Sequence, residues 1–94
     1  MKFMWYVYIL RCKDSSFYTG ISNKLQDRLL IHNQGKASKY TRSRRPVVLV
    51  YAEELDTKSQ ARRRELEIKS FSKENKRKLI SFESGVRFPS VQKI

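Results

Sequence analysis

Trp5-Tyr6-Val7-Tyr8-Ile9-Leu10, and after a polar break Phe17-Tyr18-Thr19-Gly20-Ile21, are the stretches on which the fold turns. Aromatic, β-branched and aliphatic side chains fill the first without polar alternation. That pattern predicts a strand over Met4 to Cys12, central in its sheet and buried on both faces. Lys13-Asp14-Ser15-Ser16 reads as the turn, and Phe17 to Ile21 as the returning strand of a hairpin. Gly20 weakens the end of that strand and permits close approach of a neighbour. Side chains alternate along a strand. Tyr8 and Tyr18 therefore share a face only across an odd-length connection or a bulge, whereas a two-residue turn would oppose them.

Outward from the hairpin, Ser22 or Asn23 can cap a helix running to about Gln34. Leu25, Leu29 and His32 lie on one face of it, and Gly35 is placed to stop it. Lys36 to Arg45 has basic and hydroxyl residues with no apolar period and reads as a loop, punctuated by Pro46. Val47 to Tyr51 is the next strand signal, followed by an acidic exit of Glu53, Glu54 and Asp56. Thr57-Lys58-Ser59-Gln60 has the form of a capping box. A helix should follow to about Phe71, burying Ala61, Leu66, Ile68 and Phe71. Ser72 caps a last helix that holds Leu79 and Ile80 and ends at Gly85. The fold class expected is α/β in the order β-β-α-β-α-α, with one core, as suits 94 residues. The domain is placed at 1–82, with a C-terminal extension over 83–94.

The formal net charge is +12. A small domain typically carries about 2–8, so the excess points to a polyanionic partner. The longest apolar and aromatic run, Phe3 to Leu10, is far short of the roughly 20 residues that span a bilayer. One cysteine, Cys12, excludes an internal disulfide framework and fits a cytoplasmic compartment. One Cys and one His exclude a Cys/His zinc set, and no glycine-rich phosphate loop is present. Lys24 to Arg45 concentrates the charge. It holds seven cations, Lys24, Arg28, Lys36, Lys39, Arg42, Arg44 and Arg45, against Asp27 alone. With the hydroxyls interleaved there and Tyr40, these are groups that contact phosphates or stack. Arg62-Arg63-Arg64 sweeps too far around a helix for all three to face one ligand.

Several polar groups are suited to phosphodiester chemistry, which requires an activated water, charge stabilisation at phosphorus and help for the leaving group. Arg28 and His32, four apart on one helix, can line one site. Tyr6, Tyr8, Tyr18, Tyr40 and Glu65 complete the candidates; Tyr8, His32 and Glu65 each have an ordinary structural reading beside the functional one. Tyr6-Val7-Tyr8, Tyr18-Thr19-Gly20, Arg28 and His32, in this order and spacing, resemble the GIY-YIG endonuclease domain. Gly35 to Thr41, Arg45 to Tyr51 and Ala61 to Lys69 further resemble its small stand-alone bacterial members of the UPF0213 type.

The resemblance implies a three-stranded antiparallel sheet flanked by helices and a nuclease site. In that site Tyr8 and Tyr18 are the paired tyrosines, one of which activates water. Arg28 stabilises phosphate charge, and His32 assists proton transfer or binds phosphate. Glu65, preferred to Glu67, is the ligand of a single Mg²⁺ or Mn²⁺. Tyr6 stands where the family has the glycine of its first motif, and Thr19 where the second has isoleucine. Ile21 stands where some members carry a lysine. The function expected is a metal-dependent DNA endonuclease, weak or structure-directed; the alternative is a noncatalytic nucleic-acid-binding module. DNA is the expected partner, with RNA the other polyanion to test, and targeting is left to a partner protein or dimerisation.

Overall fold

The computed structural model describes residues 4–83. Three strands, β1 (Trp5–Arg11), β2 (Phe17–Ser22) and β3 (Val48–Leu55), form one antiparallel sheet in the order β2-β1-β3. The α-helices are α1 (Leu25–Asn33), α2 (Lys39–Arg42), α3 (Lys58–Lys69) and α4 (Lys73–Glu83). β1 is the central strand, as its unbroken apolar run predicts, and Val7, Tyr8, Ile9 and Leu10 are all buried. Its side chains divide between two layers. Tyr8 and Leu10 pack with Leu25 and Leu29 of α1. Val7 and Ile9 pack with Ala61 and Ile68 of α3, against which Leu79 and Ile80 of α4 also lie. Burying each such aliphatic side chain stabilises the fold by about 1.5–3 kcal/mol.

The hairpin settles the question of faces. Arg11 pairs with Phe17, so Cys12 to Ser16 is a five-residue connection. Its length is odd, and Tyr8, Leu10, Tyr18 and Gly20 fall on one face, Tyr8 opposite Gly20 and Leu10 opposite Tyr18. Within the loop, Asp14 accepts hydrogen bonds from the Ser16 amide and hydroxyl, and Ser15 takes a positive φ of 69°. β1 also pairs with β3, with a register shift between Ile9 and Leu10.

Helix ends follow their local chemistry. At the end of α1, Gly35 has φ 80° and donates to His32 O while Lys36 donates to Ile31 O. This is the paired bonding that terminates a helix at a left-handed glycine. The Thr57 capping box forms as expected, with Gln60 bonded reciprocally. Ser72 caps α4 through the Asn75 amide. The expected end of α4 at Gly85 and the tail lie outside the described residues, as does all but the first residue of the proposed 83–94 extension.

Four expectations change. Lys36 to Arg45 is not all loop: Ser38 accepts from the Thr41 amide and nucleates the short α2. β3 runs through the supposed acidic exit, because Glu53 pairs with Arg64 and Glu54 accepts from the Tyr6 hydroxyl. Leu66 is 52% exposed, since the inner face of α3 is set by Ala61, Glu65 and Ile68. The α1 cap is not a side chain on the helix: N-cap Lys24 makes no such bond, and Ser22 Oγ accepts from the Lys24 amide instead.

Candidate active site

The site is built on the face of the sheet that meets α1. His32, fully buried, is its hub. Its Nε2 lies 2.9 Å from the Tyr8 hydroxyl and its Nδ1 2.9 Å from Thr41 Oγ1. The Tyr18 ring meets the imidazole edge-on at 5.1 Å and the Tyr8 ring at 6.5 Å between centroids. Gly20 makes this possible. A Cβ there would fall 2.6 Å from the Tyr8 oxygen and 2.7 Å from its Cζ, so the phenol occupies the space a side chain would fill. The close approach anticipated at Gly20 is thus that of the Tyr8 ring.

Arg28 lies one turn before His32 on α1 and is half-buried. Its charge reaches both neighbours. Burial pushes the Tyr8 hydroxyl up to about 12, with Tyr18 and Glu65 adding to the rise and the adjacent Arg28 opposing it. Burial, and then the Arg28 charge, push His32 down to about 4. At neutral pH both groups are therefore uncharged.

Glu65 comes from α3, in the opposite layer, yet it is 5% exposed and close enough to act on Tyr8. Arg62 Nη1 bonds its Oε1, and Lys69 Nζ sits 3.1 Å from its Oε2. It is thus paired with Lys69, as a surface carboxylate would be, but buried. Among the described residues no group of three or more His, Cys, Asp or Glu side chains is assembled. Mg²⁺ keeps several waters and takes one or two carboxylates plus substrate oxygens, so a single protein carboxylate is compatible with it. Its donor chemistry fits that ion, with Arg62 and Lys69 as the groups a cation would displace.

The basic segment divides. Lys24, Lys36, Lys39, Tyr40, Arg42 and Arg45 are exposed. Lys36, Lys39 and Arg42 line a hollow of about 420 Å³ with Gly35, Ala37 and Ser38. Arg44 is committed within the fold: its Nε bonds Asp14 at 3.0 Å, its Nη1 bonds Tyr40 O, and its guanidinium lies 3.9 Å over the Tyr40 ring. Arg45 bonds Arg42 O and Asn33 O and packs over Gly35. Tyr40 in turn stacks on Tyr18 at 6.1 Å. A groove of about 250 Å³ along the outer edge of β2 is lined by Phe17, Tyr18, Thr19, Tyr40, Lys69 and Lys76.

Of the three successive arginines, Arg62 holds Glu65, Arg64 holds Glu53 and Glu67, and Arg63 is exposed. Sequence reading missed Thr41, grouping it with phosphate-contacting hydroxyls, and it missed Ser38 beneath it. The available signal was Ser38, an N-cap residue type three places before Thr41 and followed by the cations Lys39, Arg42, Arg44 and Arg45.

A three-stranded antiparallel sheet carrying paired tyrosines, an Arg and His on the first helix and a Glu on the third defines a GIY-YIG-type fold. The chain belongs to that family: the GIY-YIG catalytic domain profile matches residues 4–78. Within it the similarity is to UPF0213 proteins. One from Staphylococcus saprophyticus is 55% identical over 76 residues, covering 81% of this chain and 93% of its own. Another from Staphylococcus haemolyticus is 56% identical over 75 residues, covering 80% and 92%. The solution structure of the UPF0213 protein of Bacillus halodurans superposes with a TM-score of 0.58 at 42% identity, covering 88% of each chain. No helix among the described residues is long and apolar enough to cross a membrane.

Proposed function

We propose that this protein is a divalent-metal-dependent endonuclease that hydrolyses phosphodiester bonds in DNA. The observation that carries this reading is the contact of Tyr8, Tyr18 and His32 in one cluster, with Arg28 beside it and the Glu65 carboxylate within electrostatic reach. Arg28 stabilises the negative charge that grows on the phosphoryl oxygens, which is where a fixed cation contributes most. Tyr8 and His32 handle the proton of the attacking water. Glu65 would hold Mg²⁺ or Mn²⁺, which when bound would supply charge neutralisation at the phosphate. Lys36, Lys39 and Arg42 on one side and Lys69 and Lys76 on the other give the backbone cationic contacts, with Tyr40 and Phe17 as apolar surfaces between.

The test is cleavage of branched, nicked and linear DNA with Mg²⁺ or Mn²⁺. Arg28→Ala and Glu65→Ala should each lose activity, and equal activity in all three preparations would mark a contaminant and sink the assignment. A second reading is a noncatalytic nucleic-acid-binding module. It is favoured by Ile21, which packs into the α3 core where some members carry lysine, and by the ion pairs that occupy both Glu65 oxygens. Salt-dependent binding without cleavage, unchanged in Glu65→Gln, would select it.

A further inference from the structure

Thr41 has the burial and contacts of a working part rather than a surface hydroxyl. It is fully buried on α2. Its Oγ1 lies 2.9 Å from His32 Nδ1, 2.9 Å from Ser38 Oγ and 3.5 Å from Ser38 O. We propose that Thr41 is a positioning residue that holds His32 as the Nδ1–H tautomer, leaving Nε2 as the acceptor of the Tyr8 hydroxyl hydrogen. Its catalytic consequence rests on the hydrolytic reading above; the tautomer itself does not.

The assignment follows from counting hydrogens. A threonine hydroxyl has one to donate. In the first scheme Thr41 Oγ1 donates to Ser38 O and accepts from Ser38 Oγ–H and from His32 Nδ1–H, and Nε2 accepts from Tyr8. Each of these hydrogens then has an acceptor, and the Tyr8 oxygen can still accept from Arg28, which can only donate. In the second scheme Ser38 donates to Thr41, Thr41 donates to Nδ1, and Nε2–H donates to Tyr8. The Tyr8 hydrogen then has no acceptor among the described residues, although the side chain is 1% exposed. A buried donor left unmade is the costlier arrangement. His32 is neutral at pH 7, so one tautomer must dominate. Ser38 belongs to the device: it caps α2 and so fixes Thr41 where Nδ1 meets it.

The consequence is a route for a proton. As the attacking water's O–H bond breaks, its hydrogen forms a new O–H bond to Tyr8. The former Tyr8 hydrogen forms an N–H bond at His32 Nε2, and the hydroxide oxygen bonds phosphorus as the bond from phosphorus to the leaving-strand oxygen breaks, that oxygen keeping the electron pair and taking a proton from solvent. Thr41 accepts from Nδ1–H before and after, so the imidazolium needs no rearrangement. The proton returns through Tyr8 to solvent when product leaves. Tyr8, held near 12, stays a neutral phenol at rest, and His32, held near 4, takes its hydrogen only as the water's hydrogen replaces it.

The chain has one histidine, so an ¹⁵N-histidine spectrum reports His32 alone. At neutral pH the expected wild-type result is a protonated Nδ1 and an unprotonated Nε2. Thr41→Val should lose that preference, and Thr41→Ser should keep it. A wild-type Nε2–H tautomer, or a Thr41→Val spectrum identical to wild type, overturns the proposal. The wild-type spectrum decides even if Thr41→Val does not fold. In cleavage assays Thr41→Val should lower kcat by about 10- to 100-fold, the usual cost of losing a group that orients a functional histidine, with KM unchanged and rescue by Thr41→Ser. A kcat equal to wild type overturns the catalytic consequence. Absence of cleavage in every preparation overturns the hydrolytic reading and with it that consequence, while the spectrum still decides the tautomer.

Discussion

Gly20→Ala puts the packing of the site under direct strain. The added methyl carbon would sit 2.6 Å from the Tyr8 oxygen, 2.7 Å from its Cζ and 3.2 Å from Tyr18 Cε2. Comfortable carbon contacts begin at about 3.5–4.0 Å, so the Tyr8 ring must withdraw by about 1 Å. It is walled by Leu25, Leu29 and Ala52 in the core, and overpacking of this kind costs about 1–3 kcal/mol. In a domain of this size each kcal/mol lowers Tm by about 4–8 °C. Withdrawal also draws the hydroxyl away from His32 Nε2, so activity should fall more steeply than stability. Thermal unfolding by circular dichroism gives the first quantity, and the histidine ¹⁵N spectrum reports the lost bond. In a Tyr8→Leu background the methyl has room, and the two changes should couple by about 0.5–3 kcal/mol. An unchanged Tm in Gly20→Ala, or strict additivity with Tyr8→Leu, would refute the placement of the phenol over Gly20.

Two further outcomes follow from single side chains. Thr19 Oγ1 is buried and has no hydrogen-bond partner among the described residues; Thr19→Val keeps the shape and should raise stability by up to about 1–3 kcal/mol, and a lower urea midpoint would mean that the hydroxyl is in use. His32 titrates near 6.5 in the unfolded chain and near 4 in the fold, so protonation favours unfolding. Stability present above pH 6.5 is then lost as pH falls toward 4, by up to roughly 3 kcal/mol. The difference between wild type and His32→Gln in urea unfolding, at neutral pH and near pH 4, measures it, and a pH-independent difference would refute it.

The sheet was legible because its signals were local. β1 is apolar on both sides and could only be central, while Gly35 and Thr57 end and begin helices by backbone chemistry that short motifs carry. Pairing was less legible. Whether Tyr8 and Tyr18 share a face depends on where the loop closes, which Lys13-Asp14-Ser15-Ser16 leaves open. Glu65 was placed by resemblance and by its spacing from Ala61, but its burial was not readable, since two cations that look like surface charge neutralise it. Leu66 misled for the complementary reason: an apolar residue about 100° from the inner face of α3 stays in solvent. Thr41 was hidden among cations, because a hydroxyl that faces a buried imidazole and one that faces solvent are the same letter.

The pairing between β1 and β2 constrains where this chain can vary. Directly opposed residues share a face, so the tyrosine pair is kept by Leu10 standing opposite Tyr18 and Tyr8 opposite Gly20, whatever the length of the loop that joins the strands. A residue inserted between Tyr18 and Gly20 would put those two on opposite faces unless a bulge absorbed it, and Tyr8 would lose either its neighbouring ring or the space over the glycine. Length changes among sequences that keep the tyrosine pair are therefore expected at the hairpin tip, Cys12 to Ser16, and not within β2.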